Sequence, residues 1–322
     1  MLDPRCCVMG AGLELFSRAA FSQTVQTSGT DSDATSLGCR YEVTPKNPPN
    51  DGNLFVDNSP EGRSGHLGHA LVEYEDSKIL PFYPNCSAEI HSPKKPSKGH
   101  SARGGMEYKR SEDGGRTWSD RNVLAYSKNL FDTEQRGNTR KKFSDFAEKS
   151  VRKYRGEIVI FFLVCDITTN VIWRQFQVPT YISSLDEGYT WSKPAALCRD
   201  RGRVYDARNY NGEILVLYFK NDNEINFLGN KPEHVYELYV SRDGGRMFVK
   251  GSELPFDTTG KSYGSMEMLD SGSIVFYIYN SNAEHTMDYV ISEDAGRTWS
   301  DPRIAHFQKR IRNGHMASLN GC

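Results

Sequence analysis

From about residue 60 onward the chain alternates short apolar runs with polar breaks. Four runs stand out: HALVEYEDSKILPFYP, GEIVIFFLVC, GEILVLYFKN and GSIVFYIYN. Each is short and rich in β-branched and aromatic side chains, the residues that suit strands. The turn signals Glu75-Asp76-Ser77, Asn211-Gly212 and Asp270-Ser271-Gly272 bound three of them. A second strand-like stretch follows each run: GGMEYKRS, PTYISS, VYELYVS and TMDYVIS. The pattern predicts four units, each reading strand, turn, strand, loop, strand, turn, strand.

Each second stretch ends in a repeated motif. The copies are SEDGGRTW from Ser111, SLDEGYTW from Ser184, SRDGGRMF from Ser241 and SEDAGRTW from Ser292. Successive copies lie 73, 57 and 51 residues apart. The shared form is S-x-D-x-G-x-T-W, and Met247 and Phe248 replace Thr and Trp in the third copy. The residue types suggest a clasped turn. Asp can accept backbone N–H bonds within its own turn. Gly takes a positive φ that other residues resist. The aromatic ring then packs back beneath the turn.

This motif resembles the Asp-box, or BNR repeat, of the sialidase (neuraminidase) superfamily, and the resemblance covers roughly residues 60–322. The stretch YNSNAEHTMDYVISEDAGRTWSDP followed by KRIRNGHMASL is similar to the bacterial branch labelled exo-α-sialidase. The resemblance implies an all-β, six-bladed β-propeller occupying residues 53–322, behind a poorly ordered extension over residues 1–52. The units are expected at 54–125, 146–198, 203–254 and 262–305, and a fifth begins with RIRNGHMASLNGC. Six blades would need about another 60–100 residues at about 50 per blade, so the expected ring is incomplete or truncated at the C-terminus.

Composition narrows the function classes. Forty Lys+Arg against 41 Asp+Glu leave almost no net charge, which argues against a nucleic-acid partner. No apolar run approaches the length of a membrane helix, and the N-terminus does not read as a signal peptide. The resemblance implies an extracellular or periplasmic location. Seven cysteines, an odd number, do not make a disulfide scaffold. No cofactor is expected. The pair His66 and His69 in HLGH would face opposite sides of a strand, which disfavours a shared metal.

In a propeller the first strand of each blade lines the channel, so residues just before its apolar run sit at the mouth. These positions hold His66, His69, Asp145, Glu148, Arg203, Tyr205, Asp206, Arg208, Tyr263, Glu267, Arg312 and His315; Arg103 starts a third strand and could point over the mouth, and Glu284 lies eight residues before the motif serine Ser292. Aromatic faces stack on sugars, guanidinium forks bind hydroxyls or a carboxylate, and a carboxylic acid can protonate a leaving oxygen. The expected partner is a glycan, cleaved at its terminal sugar. Asp206 is the candidate acid/base, with Tyr205 or Glu148 beside it. His66, His69, Arg103, Arg203, Arg208, Tyr263, Glu267, Glu284, Arg312 and His315 are the candidate binders. A non-catalytic carbohydrate-binding or protein-binding propeller is the alternative.

Sialidases hold the sugar carboxylate with three arginines. Here the Phe/Tyr-Arg-Ile-Pro motif is absent, Lys220 stands where the second arginine is expected, and Glu284 where the third is expected. A lysine lacks the bidentate fork and a glutamate would repel a carboxylate. Sialic-acid specificity is therefore not expected.

Overall fold

The computed structural model describes residues 63–64, 70–84, 86–87, 106–126, 143–152, 157–166, 176–224, 227–269 and 271–311. The expected extension over residues 1–52, and all but the first two residues of the expected fifth unit, lie outside them. All named elements are strands. A minimal ladder pairs β1 (Arg63–Ser64) with β4 (Cys86–Ser87). The rest form four antiparallel sheets of four strands each.

The first sheet holds β2 (Ala70–Glu75), β3 (Lys78–Pro84), β5 (Met106–Tyr108) and β6 (Asn122–Val123). The second holds β7 (Phe143–Arg152), β8 (Ile158–Asp166), β9 (Thr180–Ser184) and β10 (Ala195–Ala196). The third holds β11 (Gly202–Tyr210), β12 (Glu213–Lys220), β13 (Tyr236–Ser241) and β14 (Val249–Glu253). The fourth holds β15 (Lys261–Met268), β16 (Ile274–Asn280), β17 (Thr286–Ser292) and β18 (Arg303–His306). Strand order within every sheet follows the chain. Among the described residues no sheet closes on itself, and four sheets are present where the resemblance implied six.

The continuous apolar runs are second strands, and their composition has a physical cause. Side chains on a strand alternate between two faces, and here both faces are covered. On β12, Leu215, Leu217 and Phe219 pack with Ile274, Phe276 and Ile278 of the fourth sheet. The alternate residues Ile214, Val216 and Tyr218 pack with Val159, Phe161 and Tyr181 of the second sheet. Ile158, Ile160 and Phe162 pack in turn with Val72, Leu80 and Phe82 of the first. Consecutive sheets thus lie face to face. Truncating one of these side chains, Leu217→Ala for example, removes about 2–5 kcal/mol. Fourth strands, by contrast, are largely exposed: no residue of β14 or β18 is buried. The first strands β2, β7, β11 and β15 lie side by side in succession.

The four repeated motifs close the turns between third and fourth strands. Asp113 Oδ1 accepts from the amides of Arg116 (3.0 Å) and Thr117 (2.9 Å), and its Oδ2 accepts from Thr117 Oγ1 (2.7 Å). Asp294 repeats this with Arg297 and Thr298. Asp243 keeps the two amide bonds, from Arg246 and Met247, but Met247 offers no hydroxyl. Two consecutive residues have positive φ in each turn, among them Glu187 (60°) with Gly188 (82°) and Ala295 (61°) with Gly296 (81°). At Gly188 the glycine is required twice over. A Cβ would sit 3.2 Å from the Trp191 ring and 2.9 Å from Leu80 Cδ1 of the preceding sheet.

The last three turns are also tied to the sheet before them. Tyr108 Oη donates to Gly188 O (3.2 Å), Tyr181 Oη to Arg246 O (2.9 Å) and Ser252 Oγ to Gly296 O (2.5 Å).

Candidate functional site

Strand direction separates two ends. β11 finishes at the Asn211-Gly212 hairpin, and β13, running the same way, finishes at the clasped turn that begins at Ser241. The beginnings of β11 and β15, the connection 221–235 and the connection 281–285 therefore share the opposite end. The candidate residues Arg203, Tyr263 and Glu284 are all there.

They are joined by an aromatic cluster. The Arg203 guanidinium lies 4.8 Å from the Tyr205 ring centroid and 6.0 Å from that of Tyr263. Tyr263 meets Tyr205 at 5.9 Å, Phe227 at 4.8 Å and Tyr279 at 6.0 Å. Tyr279 Oη then donates to Glu284 Oε1 (2.6 Å). Arg310 Nη2 donates to the same oxygen (2.8 Å), while its Nε pairs with Oε2. A guanidinium thus forks onto the Glu284 carboxylate and answers its charge. The same carboxylate bond raises the Arg310 pKa above its ordinary value. Lys220, at the second-arginine position, is paired with Asp200 at 3.3 Å.

Irregular strands shape this end. The register of β11 slips around Tyr205, that of β15 between Ser262 and Ser265, and that of β7 around Glu148. Bulges re-aim side chains and recur beside functional sites. Tyr263 takes φ 51° at its bulge, while the other non-glycine residues with positive φ among those described sit in turns. A bulky residue so placed is strained, and strain of this kind collects at ligand-binding positions.

Farther along β11 and β15 lies a charged network. Asp206 is 5% exposed. Its Oδ1 accepts from the Ala207 amide (2.9 Å) and its Oδ2 from the Met266 amide of the neighbouring sheet (3.0 Å). Arg208 approaches both oxygens, at 3.4 Å each, and Glu267 Oε2 at 3.5 Å. The Asp206 charge raises the Arg208 pKa, against the opposing effect of burial. Tyr205 is 4% exposed, and its hydroxyl shares a 2.6 Å hydrogen bond with Ser262 Oγ.

The structure therefore brings Arg203, Tyr205 and Tyr263 together, and Asp206, Arg208 and Glu267 together. Glu284 joins through Tyr279. Asp145 and Glu148 lie on β7, whose neighbour is β11. His66, His69, Arg103, Arg312 and His315 lie outside the described residues. Phe227, Tyr279 and Arg310 were not anticipated. Phe227 carried a signal, a lone ring in the polar stretch NDNEINFLGN. Tyr279 was hidden in an apolar run, and Arg310 meets Glu284 only through the fold. Among the described residues no three His, Cys, Asp or Glu side chains gather as a metal would require.

No family model and no curated protein matches the chain. Solved structures do. A protein of unknown function from Dyadobacter fermentans superposes with a TM-score of 0.55 at 13% identity, covering 79% of this chain and 72% of that one. The NanB sialidase from Streptococcus pneumoniae gives 0.51 at 11% identity, covering 78% and 52%. A polysaccharide lyase, an ulvan lyase, gives 0.50 at 12% identity, covering 72% and 54%. The chain spans about half the length of the last two. It has a sialidase-like fold.

Proposed function

We propose that the protein is a carbohydrate-active member of the sialidase-like class, a glycoside hydrolase that binds a terminal sugar at the beginnings of its inner strands. The reading supposes that the side-by-side first strands belong to a propeller-type ring. One observation carries it: side chains of two neighbouring first strands meet in a strained aromatic cluster beside a guanidinium, with a second guanidinium and a carboxylate farther along. Planar faces, cations and a carboxylate are the groups a sugar site uses. The sialidase and the lyase of similar fold support the class.

Bonding suggests the roles. Asp206, its oxygens committed to Met266, Ala207 and Arg208, positions Arg208. Tyr205, buried against Ser262, supports Arg203 and Tyr263. Glu267, 17% exposed beside Arg208, is the carboxylate of this set nearest to reach, and Glu148 on β7 is its candidate companion. Arg203 and Arg208 serve as binders.

The test is release of 4-methylumbelliferone from a panel of α-sialoside, β-glucuronide and β-galactoside conjugates. At least one is expected to be cleaved, with Glu267→Gln lowering kcat by about a hundredfold or more while leaving KM near its original value. Binding of a sugar with no turnover of any conjugate would favour the second reading, a glycan-binding domain. The burial of both Tyr205 and Asp206 supports that alternative.

A further inference from the structure

We infer that Phe227 and Tyr263 form a stacking wall for the apolar C–H face of a pyranose ring, seated beside the Arg203 guanidinium. The inference rests on the glycan-binding reading above and names the part of the site that would select the sugar's face.

Two half-buried rings meet here at 4.8 Å between centroids with their planes inclined by 51°. Neither is placed by ordinary strand geometry. Tyr263 sits at the β15 bulge with φ 51°, half-buried against the edge of the core. Phe227 is carried by the connection between β12 and β13, which is braced from beneath by buried amides. Asn221 Nδ2 donates to Phe227 O (3.2 Å), Asn223 Nδ2 donates to Leu228 O (2.9 Å), and Asn221 Oδ1 accepts from the Asn223 amide (2.7 Å). Asn221 and Asn223 are 0% and 3% exposed.

The far end of the connection is fixed as firmly. The Asn230 amide donates to His234 Nδ1 (3.1 Å), so that nitrogen is an acceptor and the ring proton lies on Nε2, 2.7 Å from Asp222 Oδ1. Gly229 donates to Lys261 O (3.1 Å) and accepts from the Gly260 amide (2.9 Å), which pins the connection to the strand that carries Tyr263. Buried polar groups so fully bonded rigidify what they hold. What they hold is an aromatic side chain that the hydrophobic core does not enclose. A rigid tilted pair of rings with a cation at its edge matches a sugar, which offers an apolar face and a polar rim.

The experiment is titration calorimetry of the full chain with methyl α-N-acetylneuraminide, methyl β-glucuronide and methyl β-galactoside. Phe227→Ala is expected to weaken binding of the preferred sugar by roughly three- to tenfold. Phe227→Leu should weaken it nearly as much, and Phe227→Tyr should restore it, with the thermal midpoint of each variant near that of the parent. Wild-type affinity in Phe227→Ala, or in Phe227→Leu, which keeps apolar volume but not the flat face, would overturn the inference while leaving the glycan-binding reading in place. Failure of the unsubstituted chain to bind any of the three sugars at millimolar concentration would overturn both.

Discussion

The two ends of the sheets are built in opposite ways. At the clasped end, each carboxylate bonds to atoms no more than four residues away, and the pattern is written four times. At the other end, the partners come from far along the chain. Tyr205 bonds Ser262 57 positions later, Met266 reaches Asp206 across 60, and Arg310 reaches Glu284 across 26. Repetition makes the first end a scaffold; the second end differs from sheet to sheet, as a site must if it is to bind an asymmetric ligand.

That contrast can be broken by substitutions at either end. The largest effect is expected from Gly188→Val. It forces a branched side chain into a left-handed conformation and against Leu80 and Trp191, with a loss of about 2–5 kcal/mol in urea unfolding. Next is Asp294→Ala, which strands two amides and two hydroxyls and should cost about 1–2 kcal/mol. Asp243→Ala should cost less, because its turn has already lost the threonine. Equal costs would show that the hydroxyl adds nothing. At the opposite end, Tyr205→Phe removes one hydrogen bond, for about 1 kcal/mol. Turnover should survive; its loss in a folded variant would make Tyr205 a catalytic group after all.

The smallest effect is a pH dependence at the clasped end. The threonine hydroxyl bonds hold Asp113 and Asp294 at about 2, below the ordinary carboxylate value of about 3.9. A depressed folded value gives stability that is present above the ordinary value and is lost as pH falls through about 2. The double variant Asp113→Asn with Asp294→Asn should flatten the stability profile between about pH 4 and pH 2, as followed by circular dichroism.

The same contrast decides what could be read in advance. The strand runs, the sheet limits and the clasp bonds were legible because each depends on neighbours in sequence. The second strands read clearly because burial on both faces leaves no polar positions, as on β12 from Ile214 to Phe219. Arg203, Tyr263 and Glu267 were picked out by their phase ahead of those runs. The bonding of Asp206 was not visible, because its partner amide belongs to the next sheet. Phe227 was passed over because nothing local shows that Asn221 and Asn223 brace it. Glu284 was read without its partner because Arg310 lies beyond two intervening strands.

Three hydroxyl-to-carbonyl ties at the clasped turns share one direction. A hydroxyl on the outer half of one sheet always serves a carbonyl in the turn of its successor, at Tyr108, Tyr181 and Ser252 alike. A unit duplicated in tandem thus arrives with both halves of its own joint, plug and socket, and docks on its parent without any new surface having to evolve. Such a chain can lengthen by gene duplication while the angle between neighbours is inherited, which leaves the strand beginnings free to diverge.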